Sequence, residues 1–388
     1  MDKKFVYADN AATTRVSKQV LDAMLPYYRD HWGNPSAVYS IAAESKAAID
    51  TAREQVAKAI NAESDEIFFV SCGTEANNWA IKGAAAAKRK KCNHFISTPF
   101  EHHAVLHSLD ALERDFGTEV TYLPVYDNGI IKMSDLEKSI TSETALVTIM
   151  YANNEIGSIQ PIAEIGELCH SKGVLFHTDA VQAVGHIPID VKAQNIDMLS
   201  MSAHKFHGPK GCGVLYVRRS VQMPNFMDGG GQERKKRAGT ENVAQIVGLG
   251  AAIEIACGKL DSEAARLSSM RDRLIDGLLA KIPHCRVNGD RVHRLPGNAN
   301  VSIELIEGES MLMLLDMSGI CAASGSACTS GSLTPSHVLT SIGLPAEIAH
   351  GSLRMTFAEE STEADIDYIL EVLPGVVERL RAMSPLAK

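Results

Sequence analysis

The sequence predicts an α/β protein with a large, mostly parallel seven-stranded sheet flanked by helices and a second, smaller α+β domain. Between about residues 66 and 220, short runs rich in Val, Ile, Leu and Phe alternate with longer stretches that contain Ala, Glu and Lys. This alternation is typical of βαβ units, which build parallel sheets. From about residue 260 the pattern changes to one long charged amphipathic helix and fewer apolar runs. The 388 residues, 45% of them hydrophobic, are enough for two cores.

The predicted elements follow from these runs in chain order. Three helices lie between the early strands, at 75–90, 104–115 and 163–172, and Pro161 introduces the last of them near its first turn. The strands of the large sheet are predicted at 66–71, 94–98, 119–123, 145–150, 174–178, 198–202 and 213–218. The smaller domain is predicted to contain a helix at about 262–281, apolar segments at 298–305, 309–318 and 353–358, and a final helix at 363–383.

The overall charge excludes one class of function. A net charge of −9 argues against a nucleic-acid-binding protein, because phosphate binding needs a clustered basic excess. The dense cationic run Arg234-Lys235-Lys236-Arg237 is short, follows three glycines and is predicted to be mostly a solvated loop. No stretch approaches the roughly 18 continuous apolar residues of a membrane span, and the N-terminal residues carry no apolar signal core. We therefore expect a cytoplasmic protein with neither nucleic-acid nor membrane partners.

The eight cysteines include no Cys-x-x-Cys pair and no zinc-knuckle spacing, so most are expected to be buried small hydrophobic residues. Cys328 differs from the others because small and polar residues surround it from Ser324 to Ser332. Such a segment is too polar for a core and predicts an exposed, mobile loop. On that loop the thiol is either a nucleophile that can ionise or an incidental cysteine, and local evidence does not separate the two.

Polar residues follow six of the predicted strands, at the edge where open parallel α/β sheets bind ligands. Lys205 stands out because it lies between His204 and His207, in a loop of small residues after an apolar run. A lysine held in such a loop can lose its proton and form a Schiff base, whereas a surface lysine stays charged. Asp179 ends another apolar run and suits a protonated pyridine nitrogen, although a structural ion pair would by itself explain a buried aspartate.

Further polar groups fit an aromatic, phosphorylated cofactor. Gly73-Thr74, at a predicted helix start, offers N–H groups and a hydroxyl to a phosphate, unless Thr74 is an ordinary N-cap. One of His102 and His103 could stack on a ring and move protons, although isolated histidines are more often structural. No metal-ligand spacing accompanies the two histidines. Arg354 lies in an apolar strand-like run, where its charge is costly unless it is paired. Its partner is either a substrate carboxylate or a carboxylate of the protein in a structural salt bridge.

Taken in order, these segments resemble the pyridoxal-phosphate enzymes of the aspartate aminotransferase fold, fold type I. Among them, the chain is most similar to the cysteine desulfurases of the NifS/IscS type, in the class-V aminotransferase family. The match spans nearly the whole chain, from residue 7 to residue 386. The motifs that carry it are Tyr7-Ala8-Asp9-Asn10-Ala11-Ala12-Thr13-Thr14, Gly33-Asn34-Pro35-Ser36, Asn153-Asn154-Glu155-Ile156-Gly157, His177-Thr178-Asp179-Ala180-Val181-Gln182, His204-Lys205, Arg237-Ala238-Gly239-Thr240 and Ser324-Gly325-Ser326-Ala327-Cys328.

The resemblance implies how the cofactor, pyridoxal 5′-phosphate, would be held. Lys205 would bind it as a Schiff base, and His102 would stack on the pyridine ring. Asp179 would pair with the ring nitrogen, and Gln182 would bond the phenolic oxygen. In a homodimer, the phosphate would be held by residues of both subunits, namely Thr74, Ser202 and His204 from one and Thr240 from the other.

The resemblance also implies the reaction. Asn154, next to the cofactor, and Arg354 would bind the carboxylate of L-cysteine, and Cys328 would take the sulfur. The products would be L-alanine and a persulfide on Cys328, whose sulfur passes to an iron–sulfur scaffold protein or another acceptor. No metal belongs to the cofactor site, although Cys328 could transiently contact a cluster. The alternatives are a selenocysteine lyase, a cysteine sulfinate desulfinase and a degenerate scaffold protein, the last disfavoured because competent side chains fill each chemical position.

The same resemblance predicts the domain organisation. Residues 15–259 would form the large cofactor-binding domain, and residues 1–14 would join residues 260–388 in the small domain. The small domain would carry the cysteine loop at about 321–337, and residues 329–337 resemble the longer loop of the first desulfurase group. Cys72 stands where the family often has a small residue such as glycine, and we interpret it as a passive neighbour of the phosphate site.

Overall fold

The computed structural model describes residues 4–88, 92–325 and 335–383. Cys328 and the residues around it therefore lie outside the described residues. The described strands are β1 (Val6–Tyr7), β2 (Ile67–Val70), β3 (His94–Ser97), β4 (Glu119–Tyr122), β5 (Thr144–Thr148), β6 (Leu175–Asp179), β7 (Met198–Ser202), β8 (Gly213–Val217), β9 (Cys285–Val287), β10 (Asn298–Ile303), β11 (Ile320–Cys321) and β12 (Ser352–Thr356).

Helices cover both faces of the large sheet and pack on the smaller ones. The described helices are α1 (Lys18–Met24), α2 (Pro26–Arg29), α3 (Ser40–Ala59), α4 (Gly73–Lys88), α5 (His103–Phe116), α6 (Met133–Ser139), α7 (Ile162–Lys172), α8 (Val243–Gly258), α9 (Leu260–Lys281), α10 (Gly308–Met317), α11 (His337–Ser341), α12 (Ala346–Ala349) and α13 (Glu363–Met383).

Seven strands form the large sheet in the order β2-β8-β7-β6-β5-β3-β4. Neighbours from β7 to β4 in this order are parallel, whereas β8 runs antiparallel to both β2 and β7. The predicted mostly parallel seven-stranded sheet is confirmed, and every predicted strand end lies within two residues of the observed one. The prediction succeeds because β5, β7 and β8 are buried along their whole length, which a parallel sheet covered on both faces requires.

Two long helices of the large sheet's core, α3 and α8, were not predicted from the sequence. They pack against each other, and a Cβ atom added at Gly250 would lie 2.8 Å from Ala52. Glycine therefore allows close approach of the two backbones. The apolar residues of α8 do not fall on one face, so this helix lacks the periodicity that marks an amphipathic helix.

The N-terminal strand packs with the C-terminal part of the chain. β1 pairs in parallel with β11, and Val6 lies opposite Ile320. Val6 and Ala8 are buried in a second core with residues of α9, α10 and α13, beside the antiparallel sheet β9-β10-β12. The domain boundary between residues 259 and 260 stays a prediction. α8 and α9 meet there at a bend of 71°.

None of the described helices is by itself long and apolar enough to cross a bilayer. The bent pair α8 and α9 meets that requirement only when the two helices are counted together, on length and composition alone.

Candidate active site

One cavity of about 350 Å³ lies at the carboxyl ends of β6 and β7 and at the start of α4. This is the edge at which the sequence predicts ligand binding. The cavity brings together nine of the eleven predicted site residues, which are Thr74, His102, Asn154, Asp179, Gln182, Ser202, His204, Lys205 and Arg354. Their functional roles stay predictions.

Lys205 ends a short 3₁₀ turn, Ala203–Lys205, that follows β7 directly. Its Nζ donates hydrogen bonds to the main-chain oxygens of Ala11 and Ala12, at 2.6 and 2.8 Å. The main-chain oxygen of Lys205 accepts a hydrogen bond from Nε2 of His186 at 3.0 Å. The N-terminal segment, far away in sequence, therefore fixes the amine at the edge of the cavity.

Asp179 is the last residue of β6, and its carboxylate accepts two hydrogen bonds from uncharged donors. Oδ1 accepts from the main-chain N–H of Val181 at 3.0 Å, and Oδ2 accepts from Nδ2 of Asn77 at 2.6 Å. The Asn77 side chain is 1% exposed, and its Oδ1 has no hydrogen-bond partner among the described residues. The pair holds the carboxylate in one orientation, as a partner for a ring N–H must be held.

His102 is the N-cap residue of α5, and its Nδ1 accepts from the N–H of Ala104 at 3.1 Å. Burial lowers the pKa of the imidazole, Asp179 raises it, and Lys205 and the nearby histidines lower it further, so that the net direction is down. The neutral ring then carries its proton on Nε2. A neutral histidine at this place can both stack on an aromatic ring and exchange protons near neutral pH.

The start of α4 and the end of β7 form a cradle for an anion. α4 is 16 residues long and begins at Gly73, so its first N–H groups are unpaired within the helix. A Cβ atom at Gly73 would lie 2.7 Å from Cγ2 of Val181, which leaves little room for any other residue. His204 Nδ1 lies 3.1 Å from Thr13 Oγ1. Burial, with Lys205 and Lys210, lowers the pKa of His204 to about 4, so its ring is neutral.

Arg354 lies on β12 and is 7% exposed. Its Nη2 bonds Asp9 Oδ1 at 2.8 Å, and its Nη1 donates to the carbonyl oxygen of Asn154 at 3.2 Å. Its Nε is buried without a hydrogen-bond partner among the described residues. Arg354 therefore forms the structural salt bridge and also lines the cavity.

Thr240 is not in this cavity. It lines a second cavity of about 190 Å³ with Arg237, whose guanidinium donates to both carboxylate oxygens of Glu75, at 2.7 and 3.1 Å. The solvated-loop prediction holds for Lys235, which is exposed. It is wrong for Arg234, whose Nη2 donates to the carbonyl oxygen of Ile67 at 2.6 Å. It is also wrong for Arg237, because the part-buried carboxylate of Glu75 at the start of α4 is the partner of this cation.

Several residues around the cavity received no role from the sequence. Asn77 lies one helical turn after Gly73, on the face that points back to the strand ends, so the i, i+4 spacing was a usable signal. The carbonyl oxygens of Ala11 and Ala12 left no signal, because any residue type supplies a main-chain oxygen. Glu101, behind His102, is fully buried, and its Oε1 accepts from Met150 N–H at 2.8 Å.

Comparisons with known proteins identify the family of the chain. The model of the family Aminotransferase class-V matches residues 6–369. A cysteine desulfurase IscS of Clostridium botulinum is 56% identical over 385 residues, which cover 99% of this chain and 97% of that protein. A cysteine desulfurase IscS of Methanosarcina thermophila is 54% identical, covering 99% of this chain and 95% of that protein. The solved structure of a NifS-like protein has a TM-score of 0.92 at 38% identity, covering 97% of this chain and all of the other.

Proposed function

Since the chain belongs to the aminotransferase class-V family, and within it to the cysteine desulfurases of the NifS/IscS type, we propose that it converts L-cysteine to L-alanine with a persulfide on Cys328. One observation carries the proposal: Lys205, His102, Asp179 and Arg354, far apart in sequence, line the same cavity. They supply an amine, a neutral base, an oriented carboxylate and a cation for the substrate.

The donor set of the cavity fits pyridoxal 5′-phosphate. Lys205 would bind it covalently, Asp179 would meet its ring nitrogen, and Gln182 would lie near its phenolic oxygen. The N-terminus of α4 and the neutral His204 would face its phosphate, together with Thr74 and Ser202. When bound, this cofactor supplies an electron sink for a carbanion at the substrate Cα.

Side chains of the protein would bind the substrate, transfer protons and accept the sulfur. Arg354 and Asn154 would hold the substrate carboxylate, and the amine of Lys205 and Nε2 of His102 would move protons to and from the substrate. The thiolate of Cys328 would attack the substrate sulfur, so that an S–S bond forms as the C–S bond breaks. Overall, the thiol of Cys328 and one cysteine give a persulfide and one alanine, and no further oxidant or reductant is needed.

We also propose that two copies form a homodimer in which Thr240 reaches the phosphate site of the partner subunit. Support comes from Thr240 lying outside the cavity of its own chain and from an exposed apolar surface on α1, α2 and the start of α3. Surfaces of this kind mark protein contacts. Its large residues are Leu21, Leu25, Tyr28, Trp32, Val38, Tyr39 and Ile41.

The sulfur on Cys328 would pass to an acceptor, and iron–sulfur cluster assembly is the use we propose. Transfer of radioactive sulfur from L-cysteine to a purified scaffold protein would test it, with Cys328→Ser as the donor control. An acceptor that gains as much label from the variant as from the wild-type protein would contradict it.

The experiment that tests the reaction compares Cys328→Ser and Lys205→Ala with the wild-type protein. We expect alanine formation from L-cysteine to fall to background in both variants, and the visible absorbance of a lysine-linked cofactor to be lost only in Lys205→Ala. Undiminished desulfuration by Cys328→Ser would refute the persulfide mechanism and favour a selenocysteine lyase or a cysteine sulfinate desulfinase. Unchanged absorbance of Lys205→Ala would refute the cofactor assignment.

A further inference from the structure

One edge of β2 is covered by side chains instead of by another strand. β2 is the first strand in the order of the large sheet, and β8 pairs with its other edge. On the uncovered side, the main-chain N–H of Phe69 donates to Oε2 of Glu233 at 3.0 Å. The carbonyl oxygen of Ile67 accepts from Nη1 of Arg53 at 2.7 Å and from Nη2 of Arg234 at 2.6 Å. Residues of α3 and of a distant loop therefore satisfy the main chain of this edge strand.

Arg53 and Glu233 form a buried ion pair between α3 and that loop. Nη1 of Arg53 donates to Oε2 of Glu233 at 2.9 Å, and Nη2 donates to Oε1 at 2.8 Å. The two side chains are 10% and 3% exposed. The Arg53 guanidinium also lies over the ring of Phe69, with Cζ 4.7 Å from the ring centre. A bidentate pair with this burial fixes the position of Glu233 on the sheet edge.

Glu233 belongs to a loop segment, residues 232–240, whose main chain is tightly folded. Three consecutive residues that carry a Cβ atom have a positive φ: Glu233 at 43°, Arg234 at 55° and Lys235 at 65°. Such a run is unfavourable for L-residues and persists where the surrounding contacts hold it. Oε1 of Gln232 accepts from the N–H of Gly239 at 3.1 Å, which closes the segment on itself. A displacement of Glu233 would therefore displace the residues that follow it.

Arg237, in the same segment, contacts the first turn of α4 through Glu75. Besides the two hydrogen bonds from Arg237, Oε2 of Glu75 accepts from the main-chain N–H of Ser71 at 2.7 Å, directly after β2. The side chains of Arg237 and Glu75 are 20% and 10% exposed. Thr74, the residue before Glu75, lines the cavity of the candidate active site. The 232–240 segment thus contacts the connection from β2 to α4 twice, on the strand edge and on the helix start.

We infer that Glu233 is a positioning residue for the cofactor phosphate: paired with Arg53, it holds the 232–240 segment so that Arg237 fixes the start of α4. This role rests on the proposed function, in which Thr74 and the N-terminus of α4 face the phosphate. Glu233 and Arg237 line the second cavity rather than the cavity of the candidate active site, so they act through α4. Phosphate binding at a helix N-terminus depends on the direction of its N–H groups, which this contact sets.

A positioning role predicts a loss of binding that depends on the phosphate group. Pyridoxal has the ring and the aldehyde of pyridoxal 5′-phosphate but no phosphate, so both compounds can form a Schiff base with Lys205. Loosening the start of α4 should weaken binding of the phosphorylated compound and leave binding of pyridoxal nearly unchanged. Because Glu233 acts through Arg237, losing both residues should cost little more than losing Arg237 alone.

The test uses the full-length protein, freed of bound aldehyde, and the variants Glu233→Gln, Arg237→Met and the two combined. Glu66→Gln is the matched control, because Glu66 is also a buried carboxyl, 6% exposed, beside the start of β2. It accepts from the main-chain N–H of Arg219 at 2.8 Å, outside the 232–240 segment. Absorbance titrations give the dissociation constants of pyridoxal 5′-phosphate and of pyridoxal, and hydrogen exchange of the cofactor-free protein reports on the start of α4.

For Glu233→Gln, we expect the dissociation constant of pyridoxal 5′-phosphate to rise at least tenfold and that of pyridoxal to change less than threefold. Arg237→Met should show the same selective loss, and the combined variant should differ from Arg237→Met by less than threefold. Glu66→Gln should match wild type. Equal losses for the two aldehydes, or no loss for either, would overturn the inference. Losses that multiply in the combined variant would overturn it as well.

A second variant covers a failure to fold. Glu233→Gln leaves the Arg53 guanidinium buried without a charged partner, which is strongly destabilising. Arg53→Met combined with Glu233→Met removes both charges and therefore leaves no buried charge unpaired. The same selective loss of pyridoxal 5′-phosphate is expected, and affinities equal to wild type would contradict the role of the pair.

Failure of the proposed function would look different. The wild-type protein would then bind neither aldehyde, whereas hydrogen exchange of the cofactor-free protein would still report on the contact. In Glu233→Gln we expect the amides in the first two turns of α4 to exchange at least threefold faster and those of β10 to be unchanged. Exchange at α4 equal to wild type would reject the positioning role even in that case.

Discussion

The two walls of the cavity that would hold the cofactor and the substrate are built from different kinds of contact. The cofactor wall consists of Asp179, Ser202, His204 and Lys205, all placed by the ends of the adjacent strands β6 and β7. The substrate wall consists of Asn154 and Arg354, and the Arg354 guanidinium donates to the carbonyl oxygen of Asn154, 200 positions away in the sequence.

The two walls of the cavity are held in place by different interactions. Sheet hydrogen bonds fix the register of the cofactor wall, because neighbouring parallel strands end at one edge. The substrate wall is held by side chains that cross between the large sheet and the smaller one. Changes in the cofactor wall should therefore damage the chemistry, and changes in the substrate wall should damage binding and positioning.

The largest effect is expected for Asp179→Asn in the cofactor wall. An amide cannot keep a pyridine nitrogen protonated, so kcat/KM for alanine formation should fall roughly 10³-fold, about 4 kcal/mol of transition-state stabilisation. Steady-state kinetics measure this loss. Asn77→Ala, which removes only the orienting donor, should cost less. Equal activity of Asp179→Asn and wild type would show that the carboxylate is structural.

The substrate wall should respond to Arg354→Lys mainly through KM. Lysine keeps the charge but loses the planar fork, and charged hydrogen bonds contribute about 1.5–3 kcal/mol, so KM should rise roughly 10- to 100-fold. kcat should change much less, because the lost interaction acts equally on bound substrate and transition state. A fall in kcat with KM unchanged would remove Arg354 from the substrate wall.

Thr240 tests whether a third wall comes from the partner subunit. Thr240→Val should lower cofactor affinity about tenfold by removing one hydroxyl donor to the phosphate. Mixing it with the inactive Lys205→Ala variant creates mixed dimers, in which the site with intact Lys205 receives an intact Thr240 from the partner. Activity above the sum of the two pure variants is expected at limiting cofactor. No gain on mixing would place Thr240 outside the partner's site.

The last prediction concerns stability rather than activity, and its subject is Glu101, which is fully buried near Asp179. Burial, with a contribution from Asp179, raises its pKa from 4.5 to about 8, despite hydrogen bonds from Met150 and Thr98. Between these values the unfolded chain loses a proton that the folded protein keeps. The folded state is therefore destabilised by roughly 1.4 kcal/mol for each pH unit of increase.

Glu101→Gln does not titrate, so its stability advantage over wild type should grow from pH 5.5 to pH 7.5. Urea unfolding at the two pH values measures this difference in the free energy of unfolding. A difference that is independent of pH would mean that Glu101 ionises as easily in the folded protein as in the unfolded chain.

Much of the fold and of the cofactor wall could be predicted from the sequence. The strands β5 to β8 are short, apolar and buried along nearly their whole length, and such runs are visible without a structure. The polar residues that end β6 and β7 could then be assigned to one edge. Helix α8 escaped prediction because its apolar residues surround the helix and leave no periodic pattern.

The sequence by itself determined the family, the seven-stranded sheet and the candidate residues, because strand periodicity and short motifs are local properties of the chain. Only the tertiary structure decided how these residues are held. The carbonyl oxygens of Ala11 and Ala12 accept from the Lys205 amine, Asn77 orients Asp179, and Glu155 accepts a hydrogen bond from Ser336. These contacts join residues up to 194 positions apart, and such pairings depend on packing rather than on any local pattern.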